Sequence, residues 1–355
     1  MKSTILSITA GTTGVSPPID LSVVVPVFNE EETLPHFHER LSRVLTGMGL
    51  TCEIVYVNDG SLDRTLALMQ QLYETDPRVT IVDLSRNFGK EAALTAGLDH
   101  ASGTSVVVID ADLQDPPELI PKLYEELCRG YDMVYAQRTC RRGESRLKRA
   151  TAAAFYRLMN HVGPVTIPPD TGDFRIIGPR GLAALRQLRE RHRFMKGLFT
   201  WVGFRQKGIP YERDPRLAGR TKWSYWKLWN LALEGITSFT IAPLKIATYV
   251  GFVSAAAAFV YGAVIVVRTL VFGRDVPGYP SLMTVILLLG GLQLMALGII
   301  GEYLGRVFNE QKGRPLYFTQ AVHRARAPEA ARRSEAPPAE PVAEPVHEIE
   351  SEPHI

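Results

Sequence analysis

Ser105-Val-Val-Val-Ile-Asp110-Ala-Asp112-Leu-Gln-Asp-Pro-Pro117 is the stretch on which the reading of this chain turns. The apolar run Ser105 to Ile109 has the length and β-branching of a buried parallel strand. Asp110 and Asp112 follow at its end. In an open α/β sheet, ligands bind at the carboxyl ends of the strands. Two carboxylates one residue apart can share a divalent cation, and a hard cation on oxygen ligands commonly serves phosphate chemistry. An isolated pair of this kind can also cap a helix near a turn, so its meaning depends on its surroundings.

Outward from that stretch, short β-branched runs recur at Leu21 to Val27, Glu53 to Val57, Val79 to Leu84 and Met133 to Ala136. Between the runs, Glu31 to Leu45, Arg64 to Tyr73, Glu91 to His100 and Glu118 to Arg129 carry apolar residues at helical spacing. This alternation predicts an α/β fold with a mainly parallel, Rossmann-like sheet and helices on both faces. Polar groups gather after each strand: Phe28-Asn29-Glu30-Glu31, Asn58-Asp59-Gly60-Ser61, Ser85-Arg86-Asn87-Phe88-Gly89-Lys90 and the Asp110/Asp112 element. Adjacent parallel strands would bring these loops to one rim. There Asp59 could accept from the imide N–H of a uracil, Phe28 could pack on the base, and Arg86 and Lys90 could offset diphosphate charge.

Towards the C-terminus the solvent changes. Ile246 to Val271 carries one charge, Arg268, and Ser281 to Gly301 carries none. About 20 apolar residues at ~1.5 Å each cross a ~30 Å hydrocarbon core. Two spans, at about 246–271 and 281–304, therefore form an expected hairpin within 244–308. Arg220, Lys222, Lys227 and Lys245 precede it, and Arg306, Lys312, Arg314 and Arg324 follow. The positive-inside rule then puts both termini and the α/β domain in the cytoplasm, at the inner membrane. Trp223, Trp226 and Trp229 sit with Tyr225 just upstream, which predicts an interfacial amphipathic helix over 222–243.

The remaining boundaries follow composition: a flexible lead at 1–19, the α/β domain at 20–221, a juxtamembrane segment at 309–324 and a Pro/Ala/Glu-rich tail at 325–355, expected to be disordered. The net charge of +3 is uneven, the tail carrying about −4 and the rest about +7. Cys52, Cys128 and Cys140 show neither disulfide nor zinc-site spacing, which fits a reducing compartment. The histidines form no metal-ligand pair, and the basic residues lack the interleaved aromatics of a nucleic-acid binder.

Together the motifs resemble family 2 glycosyltransferases of the polyprenyl-phosphate sugar transferase type, most closely the bactoprenol glucosyltransferases, from about Leu21 to Tyr317. The resemblance is carried by Val-Pro-Val-Phe-Asn-Glu-Glu at 25–31, Asn-Asp-Gly-Ser at 58–61, Arg-Asn-Phe-Gly-Lys-Glu at 86–91 and Asp-Ala-Asp-Leu-Gln-Asp-Pro at 110–116. Gly-Asp-Phe-Arg at 172–175, Trp-Asn-Leu-Ala-Leu-Glu-Gly-Ile-Thr-Ser-Phe at 229–239 and Gly-Glu-Tyr-Leu-Gly-Arg at 301–306 extend it. It implies a GT-A fold and inverting transfer of glucose from UDP-glucose to undecaprenyl phosphate at the cytoplasmic face, with Mg²⁺ or Mn²⁺ as cofactor. By that resemblance Pro26, Phe28, Asn29, Glu30 and Asp59, with Arg86, Lys90 and Asp110, bind the donor. Asp112 and Gln114 hold the metal, and Asp173, Asp110 and Asp112 are catalytic.

Arg138, Arg149, Arg175, Arg220 and Lys222 are the candidate cations for the acceptor phosphate, since such groups pair with phosphate oxygens. Glu302 and Arg306 have the spacing of a helical ion pair. The expected partners are a UDP-sugar, undecaprenyl phosphate, the bilayer and further copies of the chain. Another donor, such as GDP-mannose, UDP-N-acetylglucosamine or a UDP-aminoarabinose type, is an alternative, as is a catalytically silent membrane scaffold. A processive synthase would carry Gln-x-x-Arg-Trp, whereas Gln311-Lys-Gly-Arg314 here runs into Pro315.

Overall fold

The computed structural model describes residues 18–139, 168, 171–191, 193–212, 240–273 and 278–326. Most of the lead, the interfacial helix and the tail lie outside these residues, as do Arg149, Arg220 and Lys222. The expected alternation is present: β1 (Leu21–Val27), α1 (Leu34–Met48), β2 (Cys52–Asn58), α2 (Thr65–Thr75), β3 (Val79–Leu84), α3 (Lys90–His100) and β4 (Ser105–Val108). After a 3₁₀ turn at Pro117–Leu119 come α4 (Ile120–Cys128) and β5 (Met133–Arg138). Then follow β6 (Thr171–Ile177), α5 (Pro179–Gln187), α6 (Met195–Trp201) and β7 (Gln206–Tyr211). Two long helices, α7 (Ala242–Phe272) and α8 (Tyr279–Gln311), lead to a last strand, β8 (Thr319–His323).

Among the described residues the strands form one mixed sheet in the order β7-β5-β6-β4-β1-β2-β3-β8. β4, β1, β2 and β3 are mutually parallel, the half that the β-branched runs predict. β6 enters antiparallel between β4 and β5, and β8 closes the β3 edge antiparallel. Successive β1 residues alternate between the two faces. Val23, Val25 and Val27 join Phe37, Leu41 and Leu45 of α1 in one core. Val24 faces the other way, with Leu94 and Ala96 of α3 and Leu182 of α5. Gly97 lets α3 lie close on that face, since an added Cβ would stand 2.2 Å from Val24 Cγ1.

α7 and α8 pack as a hairpin, and the Tyr303 hydroxyl near the end of α8 donates to the Thr240 carbonyl ahead of α7, at 2.6 Å. Their apolar stretches are unburied, Leu270 being 81% exposed, so this pair is not the core of a soluble domain. Glu302 and Arg306 form the ion pair their spacing predicts, at 3.1 Å. The chain then returns to the α/β domain. Arg191 N–H donates to Glu310 Oε2 at 3.0 Å, Tyr317 donates to Asp99 at 2.8 Å, and β8 pairs with β3.

Candidate active site

The β4–β6 register builds the centre of the site. Val106 pairs with Ile177, Val107 with Ile176 and Val108 with Arg175. Two further steps along this antiparallel register bring Asp110, beyond the end of β4, level with Asp173 on β6. Lys90, the first residue of α3, fills the gap between them. Its ammonium lies 2.7 Å from Asp110 and 2.6 Å from Asp173 Oδ2. Burial works against the Lys90 charge, but the two carboxylates outweigh it and hold the ammonium well above its ordinary range.

The two acids answer differently. For Asp173, burial favours the neutral form, yet Lys90 and then Lys196 overcome it and keep the carboxyl well below the usual range. Asp110 moves up, because burial and the charge of Asp173 outweigh the pull of Lys90. Asp173 Oδ1 is buried and accepts no hydrogen bond among the described residues. Glu91, next to Lys90, is also shifted upward, to about 7, by burial and then by the neighbouring charge of Asp173. Its Oε2 accepts from Met195 N–H at 3.2 Å, at the start of α6.

Two loop pairs make the rest of the rim. Asn29 adopts a left-handed conformation, its N–H donates to Ser61 Oγ at 3.1 Å, and its Oδ1 accepts from Leu62 N–H at 2.8 Å. Glu30 N–H donates to Thr65 Oγ1 at 3.0 Å, and the Glu30 carboxylate accepts from Thr33 Oγ1 at 2.6 Å. Phe28 stands exposed beside this junction and Pro26 is half-buried in β1. Asp59 is buried, and its two oxygens accept from Phe88 N–H at 2.7 Å and Gly89 N–H at 3.0 Å. Burial raises its pKa against these bonds. Asp59 thus anchors the loop that carries Arg86 and Lys90. Arg86 itself stacks over the Phe88 ring at 4.2 Å.

Asp112 turns back on its own loop, Oδ1 accepting from Gln114 N–H at 3.2 Å. The residue between them, Leu113, is buried in a left-handed conformation, which costs a side-chain-bearing residue roughly 1–2 kcal/mol. Strain of this kind persists where the surroundings over-determine it, and it gathers at functional turns. The donor set is all oxygen, and Asp110 and Asp173 already draw in one cation, the Lys90 ammonium. These residues therefore fit a hard divalent ion. Among the described residues no cluster of three or more His, Cys, Asp or Glu side chains is assembled for a metal.

Of the expected acceptor cations, Arg175 and Arg138 fall among the described residues. Arg175 is buried beneath the site, where NH2 donates to Gly172 O at 2.9 Å and its guanidinium lies 3.8 Å over the Phe199 ring. Burial lowers its pKa to about 10. Arg138 turns to Tyr211, donating to the hydroxyl at 3.2 Å, and stands 3.9 Å from Asp115, which in turn accepts from Tyr211. Glu91 and Asp115 lie within the quoted motifs without a role that spacing reveals. Lys196 and Tyr211 carry no sequence signal, because only the packing of α6 and β7 brings them here.

The sequence model of glycosyl transferase family 2 matches residues 22–182, and that of the GtrB C-terminal hairpin matches residues 242–307. The chain is 52% identical over 300 residues to an uncharacterized glycosyltransferase of Synechocystis sp., covering 84% of this chain and 94% of that one. It is 48% identical over 304 residues to the SfII prophage-derived bactoprenol glucosyl transferase of Shigella flexneri, covering 86% and 98%. With the prophage bactoprenol glucosyl transferase homolog of Escherichia coli K12 it shares 48% identity over 302 residues, covering 85% and 99%.

Proposed function

The chain belongs to glycosyltransferase family 2, and from that membership we propose that it transfers glucose from UDP-glucose to undecaprenyl phosphate at the cytoplasmic face of the membrane. The observation that carries this reading is the 48% identity across 98% of a bactoprenol glucosyl transferase, through both the catalytic domain and the hairpin. The unburied apolar helices α7 and α8 supply the anchor. Lys245 at its start and Arg306, Lys312 and Arg314 at its end favour the orientation with the α/β domain in the cytoplasm.

The reaction is a single in-line displacement at the anomeric carbon, with inversion. A phosphate oxygen of the lipid forms the new C–O bond while the bond to the UDP diphosphate breaks, and the electron pair leaves with UDP. The second pKa of a phosphate monoester lies at about 6, so the acceptor arrives ionised and needs no strong general base. Asp173, held ionised by Lys90, orients the acceptor and answers the positive charge that develops on the sugar. Arg86 and Lys90 meet the departing diphosphate, an electrostatic role of the kind that dominates such sites. Asp112 and Gln114, with Asp110, would hold Mg²⁺ or Mn²⁺, which supplies further positive charge to the leaving group. Pro26, Phe28, Asn29, Glu30 and Asp59 form the nucleoside end of the cleft.

The test is glucolipid formation by the purified chain with labelled UDP-glucose, undecaprenyl phosphate and Mg²⁺ or Mn²⁺, beside GDP-mannose and UDP-N-acetylglucosamine. Glucolipid from UDP-glucose alone, lost in Asp112→Ala, is the expected result. Preferential transfer from another donor overturns the sugar assignment, and absence of UDP-sugar binding overturns the enzyme reading.

A further inference from the structure

A lipid phosphate approaching Asp173 brings negative charge towards a carboxylate that is itself ionised, so a cation must stand nearby to receive it. The described cations around Asp173 are mostly committed. Lys90 is shared between Asp110 and Asp173. Arg175 is buried on its own strand's carbonyls and against Phe199. Arg138 faces Asp115 and Tyr211.

Helix α6 brings one more. It packs on β6, the strand that carries Asp173. Two contacts fix it there: Glu91 accepts from Met195 N–H at 3.2 Å, and the Arg175 guanidinium lies 3.8 Å over the Phe199 ring. Lys196 falls between these anchors. It is half-buried, and its ammonium makes no hydrogen bond or ion pair among the described residues. Its charge still reaches the site, since after Lys90 it is the strongest cationic influence on Asp173, and it also acts on Glu91. A half-buried lysine that feels acidic neighbours without a direct hydrogen bond to any of them gives up part of its hydration and part of its side-chain freedom. An anionic ligand restores that loss.

We propose that Lys196 is the cation that receives the phosphate head of the acceptor, leaving Lys90 and Arg86 to the diphosphate of the donor. The assignment rests on the transferase reading above and adds to it the residue that recognises the acceptor. Lys196 moves no proton in the reaction. It screens the approaching phosphate from Asp173, and it is the lipid phosphate's oxygen that forms the bond to the anomeric carbon.

The experiment compares the full-length chain with Lys196→Ala and Lys196→Arg. Initial rates are measured against undecaprenyl phosphate at saturating UDP-glucose, with UDP-glucose binding measured separately and melting temperatures as the folding control. A charge-assisted contact of this kind is worth roughly a tenfold or larger change. Lys196→Ala is therefore expected to raise KM for the lipid about tenfold or more while the Kd for UDP-glucose stays within about twofold, and Lys196→Arg to recover most of the loss. An unchanged acceptor KM in a folded Lys196→Ala protein overturns the assignment, as does equal weakening of donor and acceptor. If the wild-type chain forms no glucolipid, the transferase reading fails first. Direct binding of undecaprenyl phosphate then decides for Lys196, and equal affinity of wild type and Lys196→Ala counts against it.

Discussion

One ammonium serves two carboxylates at Lys90, and that sharing sets how the neighbouring acids titrate. Asp173 stays ionised at neutral pH because Lys90 and Lys196 overcome its burial. The Asp173→Asn variant removes the charge and keeps the shape. Loss of an electrostatic stabiliser in such a site costs about 10²-fold in turnover, so transfer should fall by that order while UDP-glucose binding persists. Rapid turnover in the variant would remove Asp173 from the mechanism. Glu91 moves the other way, from 4.5 to about 7, with Asp173, Lys90 and Lys196 around it. Between those values the folded chain holds a proton that the unfolded chain has released. The stability from this group is therefore complete below about 4.5 and lost as pH rises through about 7. Melting temperatures of wild type and Glu91→Gln across that range should diverge, the wild type losing ground as pH rises, and parallel curves would show that Glu91 does not titrate there.

At the scale of elements, the site is a set of loops locked to one another. Gly60, with φ +67°, passes so close to the next loop that an added Cβ would stand 2.5 Å from Asn87 N. Gly60→Ala should cost about 1–2 kcal/mol from the left-handed conformation alone, and more as the two backbones separate. The shift would carry Asp59 away from Phe88 and Gly89, so a lowered melting point should come with weaker UDP-glucose binding. An unchanged protein would mean that the loops do not depend on this approach. The elements legible from sequence are those whose patterns are local. β1 to β5 announce themselves by β-branched runs and α1, α2 and α4 by periodicity, whereas α3 buries the unbroken run Ala93 to Leu98. β6 is not legible in this way: Thr-Gly-Asp-Phe-Arg-Ile-Ile at 171–177 stands out for its acidic residue, and its place beside β4 depends on a partner more than sixty residues earlier. The same holds for the site. Asp110, Asp173 and Lys90 are each visible as motif residues, but their meeting is a property of the β4–β6 register. The packing of Arg175 and Arg138 cannot be read from sequence, because their partners Phe199 and Tyr211 belong to elements with no sequence signal.

Across the whole molecule, the apolar hairpin and the α/β domain are tied by the end of α8 and the chain that follows it. Arg191 holds Glu310, Tyr317 reaches Asp99, and β8 completes the sheet beside β3. Phe318, just before β8, packs its ring 6.5 Å from that of Phe88, in the loop that Asp59 anchors. A short polar strand such as Thr-Gln-Ala-Val-His is invisible to sequence patterns, because it gains stability from an open sheet edge and not from a buried face of its own. On the proposed function, this arrangement joins the rim that would hold the donor to the apolar hairpin that would meet the lipid acceptor. On that same proposal, glucose passes in one displacement from UDP to a polyprenyl phosphate. The most direct test of this step is the anomeric configuration of the lipid product, read by NMR after the full-length chain has acted on UDP-glucose, whose glucosyl bond is α, in membranes containing undecaprenyl phosphate. A β-linked glucosyl phospholipid is the expected result; an α-linked product, or glucose released to water with the lipid unmodified, would rule out a single displacement onto the lipid phosphate.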